Sequence, residues 1–397
     1  MHIHVIGAGV VGLTTAYYLV QKGHQVTVID QEAGVAKGAS YANGGQLSYC
    51  LSDPLGKPSL FYKFPSVVLG RDPAIKFNPP KNLKSLQWLY KFLIECSKTR
   101  HKKNSLDLLE LSLLSKSLLK DMLCNIELDF SHKKSSKIVL YEDLTTFEKE
   151  ISFFAEKKKL GSDNKRLSIE EVKRIEPSIE SIKGNFVGAI YSKLDEVGDT
   201  YLFCKSLYAW LLEQNTSFLF NAKVTKLNKH KNKISSLTIN SEELDVENIV
   251  ICAGAMTEGL VKISLPIIPV KGYSLTLSKG ELNFSKSITL ADKRMLLTKL
   301  GDRVRITGFA DFLGIDTSQD EERVSQLFAL AKDIAPQLAD FNGTDLEQWA
   351  GVRPLTPSSV PIIGPSNNKG IYINSGQGFY GWTLACASGF RLAEFFK

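Results

Sequence analysis

The sequence predicts an α/β protein of two domains, one built on a parallel sheet and the other, an α+β domain, on an antiparallel sheet. Three observations support this prediction. The chain opens with a strand, a glycine-rich turn, a helix and a second strand, then turns lysine-rich and helical, and later shows alternating apolar and polar residues between positions 269 and 307. The length of 397 residues also exceeds what one compact core usually accommodates.

The first element is a βαβ unit. It consists of an apolar run at 2–6, the turn Gly7, Ala8, Gly9, Val10, Val11, Gly12, a helix to about 22, and a strand at 25–29 followed by Asp30 and Gln31. In a GxGxxG turn the first glycine makes the tight turn, the second lets backbone approach a pyrophosphate, and the third lets helix pack on strand. Asp30 lies 18 residues after Gly12, where a carboxylate accepts from a ribose 2′-hydroxyl and repels a 2′-phosphate. A Rossmann-like dinucleotide-binding domain is predicted, and NADP is disfavoured.

Two further glycine-bearing turns lie outside this unit. YANGGQLS occupies 41–48, soon after the second strand, and GQGFYG occupies 376–381 near the end of the chain. A nicotinamide dinucleotide needs only the first unit and a site at the sheet edge. FAD needs more, because its ribityl chain and three-ring isoalloxazine are wrapped by main-chain N–H groups from several loops. The sequence therefore predicts FAD, with an NAD-linked dehydrogenase as the alternative.

The remaining elements suggest that both domains are discontinuous. Residues 54 to about 165 are punctuated by proline and rich in lysine, as in a helical insertion. Strands are predicted again from Phe186, and Asp199 is a suitable N-cap for a helix at 200–214. Further predicted elements are strands at 217–227, 249–252, 269–277, 295–298, 303–307 and 370–373 and a helix at 382–396. We predict an FAD-binding domain of 1–53, 166–266 and 346–397, and a substrate domain of 54–165 and 267–345.

Composition and charge bear on whether the protein spans a membrane, binds a metal or binds nucleic acid. No window of 18 uninterrupted apolar residues occurs, and the start of the chain reads as a strand instead of a signal peptide, so we expect a cytoplasmic protein. Six scattered cysteines without a CxxC pair predict reduced thiols and no metal site. Residues 54–103 hold eleven Lys/Arg against two acids, together with seven aromatic residues. This segment predicts either peripheral contact with an anionic membrane surface or lysines around an ordinary core helix, and not nucleic-acid binding.

Motifs along nearly the whole chain resemble the flavin-dependent amine and amino-acid oxidoreductases of the D-amino-acid oxidase type. They are GAGVVG (7–12), VTVID (26–30), SYANGGQLS (40–48), LDEVGD (194–199), PVKGYSLTL (269–277), GVRPLTPSSVPIIG (351–364) and NSGQGFYGWTLACASG (374–389). The resemblance implies that FAD is bound by the second loop, by residues near its nucleotide portion (Val224, Ala253 and Gly254) and by the C-terminal turn. The residues concerned are Ser40, Asn43, Gly45, Gln46, Leu47, Val224, Ala253, Gly254, Gly376, Gln377, Gly378, Gly381, Trp382 and Thr383.

The absence of certain residues near these motifs bears on the chemistry. Residues 351–364 contain no cysteine, and no histidine lies in the loops around the expected ring. Members of the resembled family that tether their flavin use such residues, so noncovalent FAD is expected. Histidine is likewise not expected as a general base, and direct hydride transfer from the substrate Cα to flavin N5 is favoured.

Arg353 is the residue that the resemblance assigns to the substrate carboxylate. A guanidinium binds a carboxylate through two parallel hydrogen bonds and stays charged in a dry pocket. From its residue type alone, a surface or structural role would be the more common one for Arg353, and the resemblance reverses this preference. Tyr273 either covers the substrate or packs on neighbouring strands, and Tyr380 is a weaker candidate of the same kind.

The function implied by the resemblance is oxidation of a small D-amino acid to an imine, which water converts to a 2-oxo acid and ammonia. A membrane quinone is one candidate acceptor for the electrons. Two alternatives remain open: an oxidase that uses oxygen on glycine, sarcosine or proline-type amines, and a flavin-binding subunit of a larger complex.

Overall fold

The computed structural model describes residues 1–60, 73–77, 83–260 and 265–397. Part of the basic aromatic segment, including Phe61, Tyr62, Phe64 and Arg71, lies outside the described residues. The described strands are β1 (His2–Ile6), β2 (Gln25–Ile29), β3 (Gln46–Leu47), β4 (Lys137–Tyr141), β5 (Lys165–Leu167), β6 (Gly188–Ser192), β7 (Glu196–Val197), β8 (Ser217–Leu219), β9 (Val224–His230), β10 (Lys233–Ile239), β11 (Glu242–Asp245), β12 (Ile249–Ile251), β13 (Ile268–Ser278), β14 (Ser287–Leu290), β15 (Met295–Leu300), β16 (Arg303–Asp311), β17 (Leu346–Leu355), β18 (Ile362–Pro365) and β19 (Ile371–Ser375). The described α-helices are α1 (Val10–Gln21), α2 (Leu83–Glu95), α3 (Lys98–Asn125), α4 (Leu144–Ile151), α5 (Phe154–Lys159), α6 (Ile169–Ile175), α7 (Thr200–Glu213), α8 (Thr257–Leu260), α9 (Glu321–Ile334) and α10 (Gly381–Ala393).

A six-stranded sheet carries the predicted dinucleotide-binding turn. Its order is β18-β19-β12-β1-β2-β8, and all neighbours except the β18–β19 pair run parallel. Residues 3–6 of β1 are buried, as expected for a central strand covered on both faces. Helices α1, α3, α7 and α10 contribute to the core on one side. Helices α1 and α10 cross closely because Gly389 has no side chain, since a Cβ there would lie 2.9 Å from the Thr14 backbone.

An eight-stranded, largely antiparallel sheet forms the second layer. Its order is β17-β13-β16-β15-β14-β4-β6-β5, with only β14 and β4 paired in parallel. One face packs against α9 through a core that includes Tyr273, Leu275 and Leu327. Because side chains alternate along a strand, Gly272 and Ser274 belong to the opposite face, and both line the cavity described below.

The structure confirms the fold class and most predicted elements. The Asp199 carboxylate caps α7 by accepting from the N–H groups of Tyr201 and Leu202. The strand predicted at 217–227 is interrupted, because the chain turns between β8 and β9 with Asn221 at a φ of 53°. The segment predicted as a helical insertion also contains the buried strand β4. No helix among the described residues is long and apolar enough to cross a membrane.

The pairing of three strands bears on the predicted domain boundaries. β5, β6 and β17 all pair within the antiparallel sheet, whereas the predicted division placed 166–192 and 346–355 in the FAD-binding domain. These strands belong to the antiparallel sheet by hydrogen bonding. The division of the chain into two domains stays a prediction.

Candidate functional site

One large cavity is lined by residues of both large sheets. Its volume is about 1810 Å³, more than the roughly 300–1,000 Å³ of an ordinary small-molecule pocket. Its wall includes the turn after β1 and residues of β13, β16 and β17. The cavity therefore has room for a dinucleotide together with a second small molecule.

In the turn after β1, glycines leave the backbone without side chains where a dinucleotide would bind. Gly7 has a φ of 112°, and a Cβ there would lie 2.5 Å from the Cys252 carbonyl oxygen. A Cβ on Gly12 would lie 1.8 Å from the Gly7 oxygen. No other residue fits at either position without displacing the turn. The N-terminus of α1 is thereby held against the sheet edge, with N–H groups directed toward the cavity as an anion site requires.

Asp30 holds this turn and also lines the cavity. Its carboxylate accepts from the backbone N–H of Ala8 at 2.6 Å and of Glu32 at 2.9 Å. Burial raises the pKa of Asp30 above its ordinary value, while these backbone N–H groups oppose the rise. Each carboxylate oxygen has a further lone pair, so a ribose hydroxyl can still donate to it.

The second loop is held from beneath by polar side chains. The Asn43 carboxamide oxygen accepts from Gly45 N at 2.9 Å and from the Thr200 hydroxyl at 2.8 Å. Arg305 forms a buried ion pair with Asp199 at 3.3 Å and donates to the Asn43 carbonyl. Asn43 therefore shapes its own loop. The buried Gln46 carboxamide lines the cavity with no partner among the described residues, as expected of a group that awaits a polar ligand.

The C-terminal turn joins the same site. Gly376 and Gly378 have φ values of 90° and 54°. The Thr383 hydroxyl accepts from Ser48 N at 3.0 Å, so the start of α10 is tied to the second loop. Trp382 packs against Phe203 in the core of the parallel sheet. The Trp382 indole thus supports the turn from behind.

The structure brings most of the predicted cofactor residues to the cavity wall. Those that line it are Gly7, Gly9, Val10, Val11, Asp30, Gln31, Ser40, Asn43, Gly45, Gln46, Val224, Ala253, Gly254, Gln377, Gly378, Gly381, Trp382 and Thr383. Four others, Ala8, Gly12, Leu47 and Gly376, lie behind the wall and support it. Their direct contact with a cofactor stays a prediction.

Arg353 lies in the cavity wall, on β17. Its Nη1 donates to the Phe309 carbonyl at 3.4 Å, and its guanidinium carbon lies 5.1 Å from the centre of the Phe379 ring. Desolvation lowers the pKa of Arg353 to about 10, so it remains charged at neutral pH. It forms no salt bridge with any described residue, because the neighbouring Asp311 is engaged by Arg323 at 2.6 Å. A half-buried cation without a counter-ion among the described residues suits an anionic ligand.

Tyr273 and Tyr380 are both engaged by protein groups. The Tyr273 hydroxyl donates to Asp311 at 3.1 Å, and its ring packs in the core beneath the antiparallel sheet. The Tyr380 hydroxyl donates to the Asp53 carbonyl at 2.7 Å. Burial raises the pKa of both phenols. These contacts favour the packing alternative for Tyr273.

Lys137 is a cavity residue that the sequence did not single out. Its ammonium is buried and donates to the Ser48 hydroxyl at 2.8 Å. Burial lowers the pKa of Lys137 to about 8, opposed by the nearby carboxylate of Asp195. Burial also raises the pKa of Asp195 to about 6. The feature that could have marked Lys137 in the sequence is its position at the start of the apolar run KIVLY. It was not distinctive, because the chain contains 39 lysines.

The described residues of this cavity do not favour thiol chemistry or metal binding. Cys252 lines it, but burial raises the pKa of this thiol to about 12, which keeps it protonated. Within residues 1–60, 73–77, 83–260 and 265–397, no cluster of histidine, cysteine and carboxylate side chains is arranged to hold a metal ion.

A parallel sheet with a pyrophosphate-type turn, joined by two more glycine turns to a cavity whose wall includes the Arg353 guanidinium, defines a dinucleotide-dependent oxidoreductase. A family described as "FAD dependent oxidoreductase" matches residues 2–395. The chain therefore belongs to this family of FAD-dependent oxidoreductases, also called DAO. The prediction of FAD is confirmed, and the NAD-linked alternative is set aside.

Individual relatives agree with this assignment. D-amino acid dehydrogenase 2 of Ralstonia nicotianae is 33% identical over 407 residues, covering 99% of this chain and 96% of its own length. Glycine oxidase from Bacillus cereus has a similar fold, with a TM-score of 0.73 at 18% identity over 99% of this chain and 94% of that one. L-α-glycerophosphate oxidase from Mycoplasma pneumoniae, solved with FAD bound, gives a TM-score of 0.74 at 19% identity over 99% and 94%.

Proposed function

We propose that the protein oxidises the Cα–N bond of a small D-amino acid and delivers the electrons to an acceptor other than oxygen. The supporting observation is the Arg353 guanidinium, which has no acidic partner among the described residues and lies in the same cavity as the dinucleotide turns. The curated relative named above as a D-amino acid dehydrogenase matches along nearly its full length. Oxidation yields an imine, which water converts to a 2-oxo acid and ammonia.

FAD is proposed to bind noncovalently along the three glycine turns. The bare backbone at Gly7 and Gly9 and the start of α1 would take the pyrophosphate, and Asp30 the ribose. Gln46, whose buried amide has no partner within the described part of the chain, and the turn before α10 would contact the ring system. When bound, FAD supplies the acceptor for the substrate hydride.

The protein's own contribution is proposed to be binding and orientation. Arg353 would hold the carboxylate through its free N–H groups, which fixes the substrate Cα within the cavity. A half-buried guanidinium attracts a carboxylate more strongly than it would in bulk water, because the local polarity is lower. Tyr273 would act indirectly, by engaging Asp311 together with Arg323, so that this carboxylate does not compete for Arg353.

We expect D-amino acids to bleach the flavin of the purified protein under anaerobic conditions, because hydride transfer reduces it. The measurement is flavin absorbance across a panel of D- and L-amino acids, sarcosine and D-proline. Bleaching by L-amino acids or sarcosine in preference to D-amino acids would contradict the proposed substrate class. A flavin that stays oxidised with every compound would instead favour a subunit of a larger complex, and rapid peroxide formation in air would favour an oxidase.

A membrane quinone is the proposed acceptor, and helix α2 is the feature that supports it. Four apolar residues of α2 are exposed, namely Leu83, Leu86, Tyr90 and Ile94, while Trp88 and Phe92 pack inward. Leu86, Leu89, Tyr90 and Leu93 have the spacing of one apolar helix face, yet Leu86 and Tyr90 are exposed. The helix lies in the segment with eleven basic residues, and apolar side chains beside basic ones suit an anionic lipid surface.

Replacing Leu86 and Tyr90 with serine is expected to reduce binding to anionic vesicles, since both side chains would insert into the interface. Co-sedimentation with phosphatidylglycerol vesicles measures this. The matched control is Leu212→Ser, which removes an exposed leucine from α7. Equal vesicle binding by all three proteins would count against membrane contact through α2.

A further inference from the structure

Gly272 lies directly beneath the Arg353 guanidinium. It belongs to β13 and pairs with Gly351 of β17. A Cβ on Gly272 would lie 2.1 Å from Nη1, 2.2 Å from Nη2 and 2.3 Å from Cζ of Arg353. The guanidinium therefore occupies the space that any other residue at 272 would fill with its side chain.

A strained carbonyl provides a second contact. Phe309 has a φ of 64°, a conformation that a bulky residue adopts only at a cost. It lies where the register of β13 and β16 shifts, between the pairs Lys271–Asp311 and Tyr273–Gly308. This bulge turns the Phe309 carbonyl toward Nη1 of Arg353, 3.4 Å away.

We propose that Gly272 is a positioning residue for substrate binding. Its bare backbone, with the Phe309 carbonyl, fixes the plane of the Arg353 guanidinium so that the remaining N–H donors meet a carboxylate in the cavity. The inference rests on the proposed role of Arg353 as the carboxylate ligand. Its physical basis is that a planar, two-point hydrogen bond depends on the orientation of the donor plane as well as on charge.

The Gly272→Ala variant tests this inference with a small perturbation. Gly272 does not have a left-handed φ, so alanine is compatible with the strand backbone. We expect the Kd of benzoate, an unreactive carboxylate, to rise about tenfold or more because the guanidinium is displaced. Benzoate binding is read from the flavin absorbance spectrum, and bound FAD per chain is expected to remain unchanged.

The matched control is Gly34→Ala. No heavy atom lies within 4 Å of a Cβ placed at Gly34, and this glycine also lacks a left-handed φ. Its benzoate Kd should equal that of the unaltered protein. An unchanged Kd in Gly272→Ala would overturn the inference.

A double-mutant cycle separates positioning from a general effect on the sheet. In an Arg353→Ala background the added methyl group has no guanidinium to displace, so Gly272→Ala should change benzoate binding little further. An equal weakening in both backgrounds would overturn the inference. If Gly272→Ala alone does not fold, the double variant should fold, and its failure to do so would likewise overturn it. If Arg353→Ala leaves benzoate binding intact, the proposed role of Arg353 itself fails.

Discussion

Replacing Arg353 with alanine should raise the KM for a D-amino acid substrate about 100- to 1,000-fold, on the scale of the 2–5 kcal/mol typical of truncating a buried hydrogen-bonded charge. The reason is that Arg353 forms no salt bridge among the described residues and donates only to the Phe309 carbonyl. The other N–H donors remain available for a substrate carboxylate. Steady-state kinetics with D-alanine measure the change.

FAD content provides the necessary second measurement for this variant. Arg353 lies beside the third glycine turn, 5.1 Å from the centre of the Phe379 ring. The residues proposed to hold the pyrophosphate and the ribose belong instead to the first βαβ unit, so bound flavin per chain should not change. Arg391→Ala is the matched control, because Arg391 is exposed on α10 and pairs with Glu110 at 3.5 Å. Loss of flavin with an unaltered KM would show that Arg353 has been assigned to the wrong ligand.

Replacing Lys137 with methionine should stabilise the protein by about 2–3 kcal/mol at pH 7, since each unit of pKa shift corresponds to about 1.4 kcal/mol. The pKa of Lys137 falls from an ordinary 10.5 to about 8, because burial disfavours its charge. Methionine keeps similar length without the charge, at the loss of one hydrogen bond to Ser48. The melting temperature of the FAD-loaded protein measures the gain.

The stability gained by Lys137→Met should depend on pH, because the pKa of Lys137 is lowered in the folded protein. Below about pH 8 the lysine is protonated in both the folded and the unfolded chain, so the full cost of its burial is present. Between pH 8 and 10.5 the folded chain loses the proton first, and the cost declines to zero. The difference in melting temperature between variant and parent should therefore shrink over this interval. A difference independent of pH would mean that the Lys137 charge is compensated in the folded protein.

The dinucleotide end was predictable from sequence because its signals are local. Gly7 and Gly12 are required by contacts within the first βαβ unit or with the adjacent strand end, and those contacts impose a fixed spacing on the sequence. The cap at Asp199 is local in the same way, since its carboxylate reaches only to Tyr201 and Leu202. Constraints between residues that are close in the chain leave a residue spacing that can be recognised in a single sequence.

The substrate end was less predictable because its constraints are formed by strand pairing. Gly272 contacts Arg353 only through the register of β13 with β17, 81 positions apart. The strain at Phe309 depends on a bulge, and β4 was missed because its five residues lie in a lysine-rich stretch. The hydroxyl of Tyr273 could not be assigned without knowing that Asp311 lies within reach. Such relations leave no periodicity in the sequence.

The hydrogen bond between Ser48 and Thr383 has a consequence for biosynthesis. It joins the second loop to the start of α10, and β19, just upstream, occupies the sheet position next to β12. The ribosome must therefore translate past position 383 before the second loop and α10 can meet. Nascent chains halted upstream of position 381 would lack one wall of the cleft and should remain colourless, so the completed cradle for the yellow prosthetic group forms late in synthesis.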